Sequence, residues 1–140
     1  MKKTKLEKSL IIDFKAVGIS CTLKAYKLAW LLNKLLNIQL VKENDFQLES
    51  GNENIEICNY LYETPAGYLK LIENKAANHE RVGNLFLIPE LKQFDFLFLI
   101  KESDSFNADE IINKIKTLNE INFITPINYT QIKSKENLLF

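Results

Sequence analysis

The sequence predicts an α+β protein with a mainly antiparallel sheet, and three observations support this. The chain has 140 residues and 46% hydrophobic residues, which is the length and apolar content of one globular domain. Short apolar runs separated by turn residues outnumber helical patterns, as expected for strands joined by hairpins. Two segments show helical spacing, one near each end. The predicted order is β-α-β-β-β-β-β-α-β, with a long N-terminal helix and a second helix near the C-terminus.

The first third predicts a strand and then the long helix. Residues 8–18 place Leu10, Ile12 and Phe14 on one face, and Gly18 ends the strand. Ser20 or Thr22 can cap a helix that runs to about residue 36, where Asn37 tolerates a left-handed end. That helix is apolar almost all round, so we expect it to be central or to contact another chain. Its apolar residues are Leu28, Ala29, Trp30, Leu31, Leu32, Leu35 and Leu36.

The middle of the chain predicts five strands. Residues 38–49, 55–63 and 68–73 are the first three, and the last two of these flank a Thr-Pro-Ala-Gly turn. Residues 74–84 form a polar loop, and residues 85–88 form a short strand stopped by Pro89. Residues 94–100 are apolar on both faces beyond Asp95, which is typical of an inner strand.

The last third predicts a capped helix and an edge strand. Asn107 with Glu110 forms a capping box, and Phe106 can pack on Ile111 as a hydrophobic staple. Pro126 interrupts a strand at residues 121–127, so we expect it at an edge. We expect one domain over residues 1–140, with a disordered basic N-terminus at residues 1–7 and a tail at residues 128–140. The tail should dock on the body or on a partner through its apolar end, Leu138, Leu139 and Phe140.

The charge is zero overall but unevenly distributed. Eighteen basic residues balance eighteen acidic ones. Residues 1–42 carry nine lysines against Glu7 and Asp13, a net charge of +7. Residues 43–110 carry five basic and fourteen acidic groups, a net charge of −9. Such a chain can cancel its charges internally, associate head to tail or bind an acidic partner.

The sequence predicts a cytoplasmic protein. The apolar run near the N-terminus is too short for a secretory signal, and no stretch reaches the ~20 apolar residues of a membrane span. Cys21 and Cys58 are then expected to be reduced thiols, because disulfides are rare in that compartment. Two cysteines without CxxC spacing and one histidine predict no metal site and no cofactor.

Residues 88–96, Ile-Pro-Glu-Leu-Lys-Gln-Phe-Asp-Phe, resemble the signature of the bacterial IPExxxVDY family. In that signature, Ile-Pro-Glu is followed three residues later by Val-Asp-Tyr. Ile88, Pro89 and Glu90 match it, as does Asp95. The valine and tyrosine positions are occupied by Phe94 and Phe96, and Phe96 lacks the tyrosine hydroxyl. Residues 18–36 and 133–140 also look similar to the family. The resemblance identifies a family for which no activity is established, so it implies no function for these residues.

Glu90 and Asp95 are the best candidates for chemistry. Across a short loop their carboxylates can approach each other, which raises one pKa and permits acid–base catalysis or cation binding. The structural alternative is that they accept backbone N–H groups and fix the turn. We favour the structural alternative, since two carboxylates are too few for a hard cation.

Three other groups have a chemical and a structural interpretation. His79 can be a general base or a solvated loop residue. Cys21, near the predicted helix start, can have a lowered thiol pKa or be a packed thiol. Tyr60, Tyr62 and Tyr68 can cluster across their hairpin beside a lysine as a base-stacking platform, or pack across the strands. We favour the structural interpretation of each.

We therefore expect a binding or adaptor protein and not an enzyme, because no nucleophile, base and orienting residue form a set. We expect protein–protein contacts, through a homodimer or an acidic partner. The possible interface residues are Trp30, Leu31, Leu35, Leu138, Leu139 and Phe140. The alternative is an RNA-associated protein that uses the Lys-rich N-terminal third, including Lys2, Lys3, Lys5, Lys8 and Lys15.

Overall fold

A six-stranded antiparallel sheet forms the centre of the structure, a computed structural model that describes residues 13–140. The strands in chain order are β1 (Lys15–Ser20), β2 (Val41–Lys42), β3 (Phe46–Ser50), β4 (Glu53–Ile57), β5 (Asn59–Glu63), β6 (Tyr68–Glu73), β7 (Phe96–Lys101) and β8 (Phe123–Ile127). The helices are α1 (Ala25–Leu36), α2 (His79–Val82) and α3 (Ala108–Ile115), with 3-10 turns at Pro89–Leu91, Tyr129–Gln131 and Lys133–Leu138.

The main sheet has the order β2-β5-β6-β7-β1-β8, and β3 pairs with β4 in a separate hairpin. Every pairing is antiparallel. The predicted α+β class with a mainly antiparallel sheet is confirmed. The predicted inner strand is also confirmed, because β7 lies between β6 and β1 and its first five residues are buried. Strand β8, which carries Pro126, lies at an edge as predicted.

The two faces of the sheet are covered differently. On one side, which we call the helix face, α1 and α3 pack on alternate residues of the strands, such as Ile19, Leu71 and Phe98. The opposite side, which we call the loop face, is covered by the β3–β4 hairpin, residues 74–94 and residues 128–140. Buried apolar residues therefore lie on both sides of the central strands.

The predicted order of elements and the long N-terminal helix are not confirmed. Helix α1 has 12 residues and begins after Lys24, without a side-chain cap from Ser20 or Thr22. Strand β1 includes Gly18 and continues to Ser20. The earlier half of the predicted first strand, and residues 1–7, lie outside the described residues.

Two predicted strands are each divided between the sheets. Residues 38–49 form β2 in the main sheet and β3 in the hairpin, and residues 55–63 form β4 and β5 with a break at Cys58. Residues 85–88 are not a strand, and Phe86 makes only an isolated bridge to Lys75. Pairing ends there because the N–H of Ile88 donates to the side chain of Asn74 and not to a strand carbonyl.

Two of the three helix ends that the sequence specifies are found where expected. Asn37 is left-handed, with φ 55°, and ends α1. The Asn107 side chain accepts a hydrogen bond from the Glu110 N–H at 3.0 Å and caps α3. The apolar stripe of α3 is buried on the helix face of the sheet.

Candidate functional site

The segment that resembles the IPExxxVDY signature is organised from inside by Asn74. This side chain is fully buried at the end of the β6 strand. Its amide nitrogen donates to the Leu91 carbonyl at 3.0 Å and to the Phe94 carbonyl at 3.3 Å, and its oxygen accepts from the Ile88 N–H at 2.8 Å. A loop that lacks strand partners thus has its polar backbone groups satisfied, as burial requires.

The apolar residues of that segment belong to the core. Ile88, Phe94 and Phe96 are each at most 4% exposed. The Phe94 ring covers Gly18 so closely that a Cβ at Gly18 would lie 2.7 Å from it. Phe96 lies in β7 and faces the helix face. Pro89 begins the 3-10 turn Pro89–Leu91 and is exposed.

The two candidate carboxylates bind different parts of the chain. Asp95 accepts from the Cys21 N–H at 3.0 Å and holds the loop between β1 and α1. Glu90 accepts from the N–H and the hydroxyl of Ser134, both at 3.3 Å, and holds the tail. Slight burial alone raises the pKa of Glu90, but hydrogen bonds from its own backbone and from Ser134 outweigh it, so the pKa is lowered. Each carboxylate has its own role in joining segments.

The two thiols are not activated. Burial raises the pKa of Cys21, and its N–H is bound to Asp95, so the alternative of a lowered thiol pKa is wrong. Burial raises the pKa of Cys58 to about 11. His79 begins α2 and is exposed, and it lines a cavity of about 320 Å³ with Cys58, Glu73 and Lys42. A thiol that stays protonated at neutral pH is a poor nucleophile, even with a histidine in the same cavity.

The three hairpin tyrosines do not form one cluster. Tyr60 and Tyr62 pack on the helix face, whereas Tyr68 packs on the loop face. Tyr68 lies opposite Glu63 in the β5–β6 register, and Tyr62 lies opposite Leu69. The base-stacking alternative, which needs all three rings together across the hairpin, is therefore wrong, because residues 60 and 68 differ in the face that the pleat gives them.

The outer surface of α1 carries Tyr26 and Trp30, two of the three exposed phenylalanine, tyrosine or tryptophan side chains among the described residues, the third being Phe123 in β8. Tyr26 is 65% exposed and Trp30 is 52% exposed, although Leu28, Ala29 and Leu32 on the opposite side of α1 are buried. Lys34 Nζ lies 4.5 Å from the Trp30 ring centroid, and Lys27 Nζ lies 5.8 Å from it. We call Tyr26, Lys27, Trp30 and Lys34 the α1 outer face.

The α1 outer face has a uniform charge. Residues 14–42 contain no aspartate or glutamate, so no acidic side chain of α1 or its flanking loops pairs with these lysines. Cation–π contacts hold Lys27 and Lys34 beside the indole and leave their charges in solvent. Aromatic side chains with a polar handle are enriched in protein interfaces, and the two lysines make this surface complementary to an acidic one.

The other predicted interface residues lie in different surroundings. Leu31 and Leu35 are partly buried, and Leu35 packs against the helix-face core. Leu138 is 2% exposed in the loop-face core, so it offers no surface to a partner, whereas Leu139 is 39% exposed. Phe140 stacks on Phe46 with ring centroids 4.0 Å apart. Of the two alternatives for the tail, the structure therefore has Leu138 and Phe140 against the chain's own body.

Most lysines of the RNA alternative lie outside the described residues, namely Lys2, Lys3, Lys5 and Lys8. Lys15 is described, and its Nζ lies 3.3 Å from a carboxylate oxygen of Glu102. Within residues 13–140, no three side chains of histidine, cysteine, aspartate or glutamate are grouped so that they can hold a metal ion. Among the helices of that range, none is both long and apolar enough to cross a bilayer.

Trp30 was predicted as an interface residue from the sequence, but Tyr26, Lys27 and Lys34 were not. The signal was present, because Tyr26, Trp30 and Lys34 are spaced four residues apart and so share one side of a helix. It was hidden by the apolar residues between them, which made the whole helix look apolar.

Comparison with known proteins adds no family to this description. No protein-family model matches the chain. No curated protein matches it either. The resemblance to the IPExxxVDY family stays a prediction.

Proposed function

We propose that this protein acts by binding, without a catalytic step of its own, and that the α1 outer face docks on an acidic surface of another protein. The observation that carries the proposal is the exposed Trp30 ring flanked by Lys27 and Lys34. A large aromatic side chain supplies apolar contact area, and the two ammonium groups select a partner of opposite charge. We infer a cytoplasmic location, with which two free cysteines are compatible.

A symmetric dimer through the α1 outer face alone is disfavoured, because it would bring the lysines of two copies together. A homodimer of another kind remains part of the proposal. The β3–β4 hairpin and its approach carry exposed Glu43, Glu49 and Glu53, which is the charge that the α1 outer face selects. A second copy can therefore be the acidic partner, in a head-to-tail contact. Analytical ultracentrifugation measures this self-association directly, as a change in the mass of the sedimenting species.

The test uses a defined acidic probe, a short amphipathic helical peptide with glutamate on one face and leucine on the other. We expect the protein to bind this peptide and to leave the version with lysine in place of glutamate unbound. Raising the salt to ~0.5 M should weaken binding, since the Debye length falls well below 10 Å. A Lys27→Glu/Lys34→Glu variant should weaken it on the order of tenfold.

The matched control is Lys114→Glu/Lys116→Glu, which reverses two exposed lysines at the end of α3. It changes the net charge equally and should leave peptide binding unchanged. Equal loss in both variants would mean that only overall charge matters, and the α1 outer face would then not be the site.

RNA binding is the second candidate, because exposed aromatic rings beside lysines also suit base stacking. Protein is favoured, since the acidic middle of the chain repels phosphates over much of the surface. An electrophoretic shift with single- and double-stranded RNA separates the two candidates. If RNA shifts and the acidic peptide does not bind, the protein-partner proposal fails.

A further inference from the structure

A second candidate binding site lies on the loop face, where the chain's own tail occupies an aromatic slot. The Phe140 ring stacks on Phe46 with an interplanar angle of 12°. Phe140 also contacts Lys70 in two ways. Its main-chain oxygen accepts a hydrogen bond from Lys70 Nζ, and the same ammonium lies 4.2 Å from the centroid of the Phe140 ring. One residue thus satisfies an aromatic contact, a hydrogen bond and a cation–π contact together.

Lys70 is an unusual residue at its position. It lies in β6, between β5 and β7, and is 9% exposed. No aspartate or glutamate among the described residues forms an ion pair with it. Burial lowers the pKa of Lys70, and Glu43 and Glu63 only partly oppose this. Burying an ammonium group is unfavourable unless it is paired, and the partner of Lys70 is the main-chain oxygen and ring of Phe140 in the tail.

Space remains beside this contact. A cavity of about 510 Å³ is lined by Lys70, Phe46 and Phe140 and also by three acidic residues, Glu43, Asp45 and Glu63. Its acidic lining favours a segment that carries positive charge. The chain's own tail has that composition, since Lys133 and Lys135 precede Phe140 with Glu136 as the one acid after residue 128.

We propose that the cavity beside Lys70 is a peptide-binding site for an aromatic residue of a basic segment, and that Phe140 occupies it as an intramolecular stand-in. The aromatic ring of the partner stacks on Phe46, and its main-chain carbonyl accepts from Lys70. Lysines of the partner face Glu43 and Glu63. This site is separate from the α1 outer face, so each proposal can fail without the other.

The probe is a fluorescein-labelled, C-terminally amidated peptide with the sequence of residues 133–140, KSKENLLF. A tethered occupant acts at an effective concentration near millimolar, so it should weaken the apparent affinity of the intact chain by about tenfold. We expect Phe140→Ala to bind the peptide with a Kd about tenfold lower than the unaltered chain. The matched control, Leu139→Ala, removes the exposed neighbour and should bind like the unaltered chain.

The peptide gives the second comparison, which uses the unaltered protein and does not depend on the folding of a variant. Replacing the last phenylalanine of the peptide by alanine should abolish binding, and replacing both lysines by glutamate should weaken it. Lys27→Glu/Lys34→Glu should leave the binding of this peptide unchanged. Equal binding by Phe140→Ala and the unaltered chain would overturn the proposal. Binding that persists without the aromatic residue of the peptide would overturn it as well.

Discussion

The segment around Asn74 and the α1 outer face differ in how their polar and aromatic groups are placed: the first buries them, and the second exposes them. Around Asn74, four backbone groups of residues 88–94 are bound by one buried side chain, and Phe94 is enclosed against Gly18. On α1, Trp30 and Tyr26 are more than half exposed. The groups around Asn74 bind other parts of the same chain, whereas the side chains of the α1 outer face are free to contact a partner.

The difference shows why a recognisable motif need not be a site of function. Glu90 and Asp95 are the most conspicuous carboxylates of residues 88–96, yet each binds a distant segment of the same chain, at Ser134 and at Cys21. A carboxylate that is hydrogen-bonded within its own chain contributes to stability. Substitutions on the α1 outer face should change the stability of the protein little, and this face carries the proposed contact.

We expect the greatest loss of stability from a change at Asn74. Asn74→Ala removes one acceptor and an amide that donates to buried carbonyls, at about 1 kcal/mol for each hydrogen bond, so we expect a loss of roughly 3–4 kcal/mol. Chemical denaturation measures the free energy of unfolding. The control is Asn84→Ala, an exposed residue ten positions later in the same loop, which should cost little. Equal, small costs at both positions would contradict the organising role of Asn74.

Gly18→Ala should have the next largest effect. The new Cβ would lie 2.7 Å from the buried Phe94 ring, and such overpacking costs about 1–3 kcal/mol. Gly18→Ala combined with Phe94→Leu should recover part of the loss, because the smaller side chain makes room. A double variant that is less stable than the sum of the single changes would exclude this contact as the cause. Thermal denaturation of the four proteins makes the comparison.

Alkaline pH should lower the free energy of unfolding, because two partly buried groups ionise more easily in the unfolded chain. Burial raises the pKa of Cys58 to about 11 and that of Tyr68 to about 12. In the unfolded chain both groups ionise at lower pH, so the unfolded state releases protons first and stability falls as the pH rises from about 9 to 12. After allowance for partial exposure, we expect a loss on the order of 1–2 kcal/mol.

Tyr68→Phe should remove the upper part of that pH dependence, from about pH 10 to 12. Tyr26→Phe, at an exposed position on α1, is the control and should leave the curve unchanged. Unfolding curves recorded at several pH values give the comparison. A curve for Tyr68→Phe that falls as steeply as that of the unaltered protein would contradict the assignment.

The smallest expected effect on stability is at Trp30. Trp30→Ala removes a half-exposed side chain and two solvent-facing cation–π contacts, so we expect a change within about 0.5 kcal/mol. The same variant should lose binding to the acidic peptide. A large fall in melting temperature would place Trp30 with Asn74 as a structural residue and would remove the contrast between the two regions.

Local sequence signals predicted the parts of the fold that depend on neighbouring residues. Asn107 and Asn37 mark helix ends because capping and left-handed geometry involve only a few adjacent residues. The burial of residues 96–100 was predicted because an uninterrupted apolar run allows few other environments. The capped α3 helix and the central β7 strand follow from these signals.

The parts that failed depend on partners distant in the chain. The division at Cys58 between β4 and β5 arises because β4 pairs with β3 and β5 pairs with β6, and periodicity within residues 55–63 is the same in either case. The role of Asn74 was missed because it binds groups 14 to 20 residues away. The orientation of Trp30 likewise depends on which side of α1 meets the sheet.

Docking on the α1 outer face can be followed by the fluorescence of Trp30, the one tryptophan in the sequence. Acrylamide quenching is measured with and without the acidic amphipathic peptide, and with its lysine-bearing counterpart. We predict strong quenching of the free protein, and protection with a shift of emission to shorter wavelength when the acidic peptide binds. If the acidic peptide binds and Trp30 remains as accessible to acrylamide as before, the α1 outer face is not the docking surface.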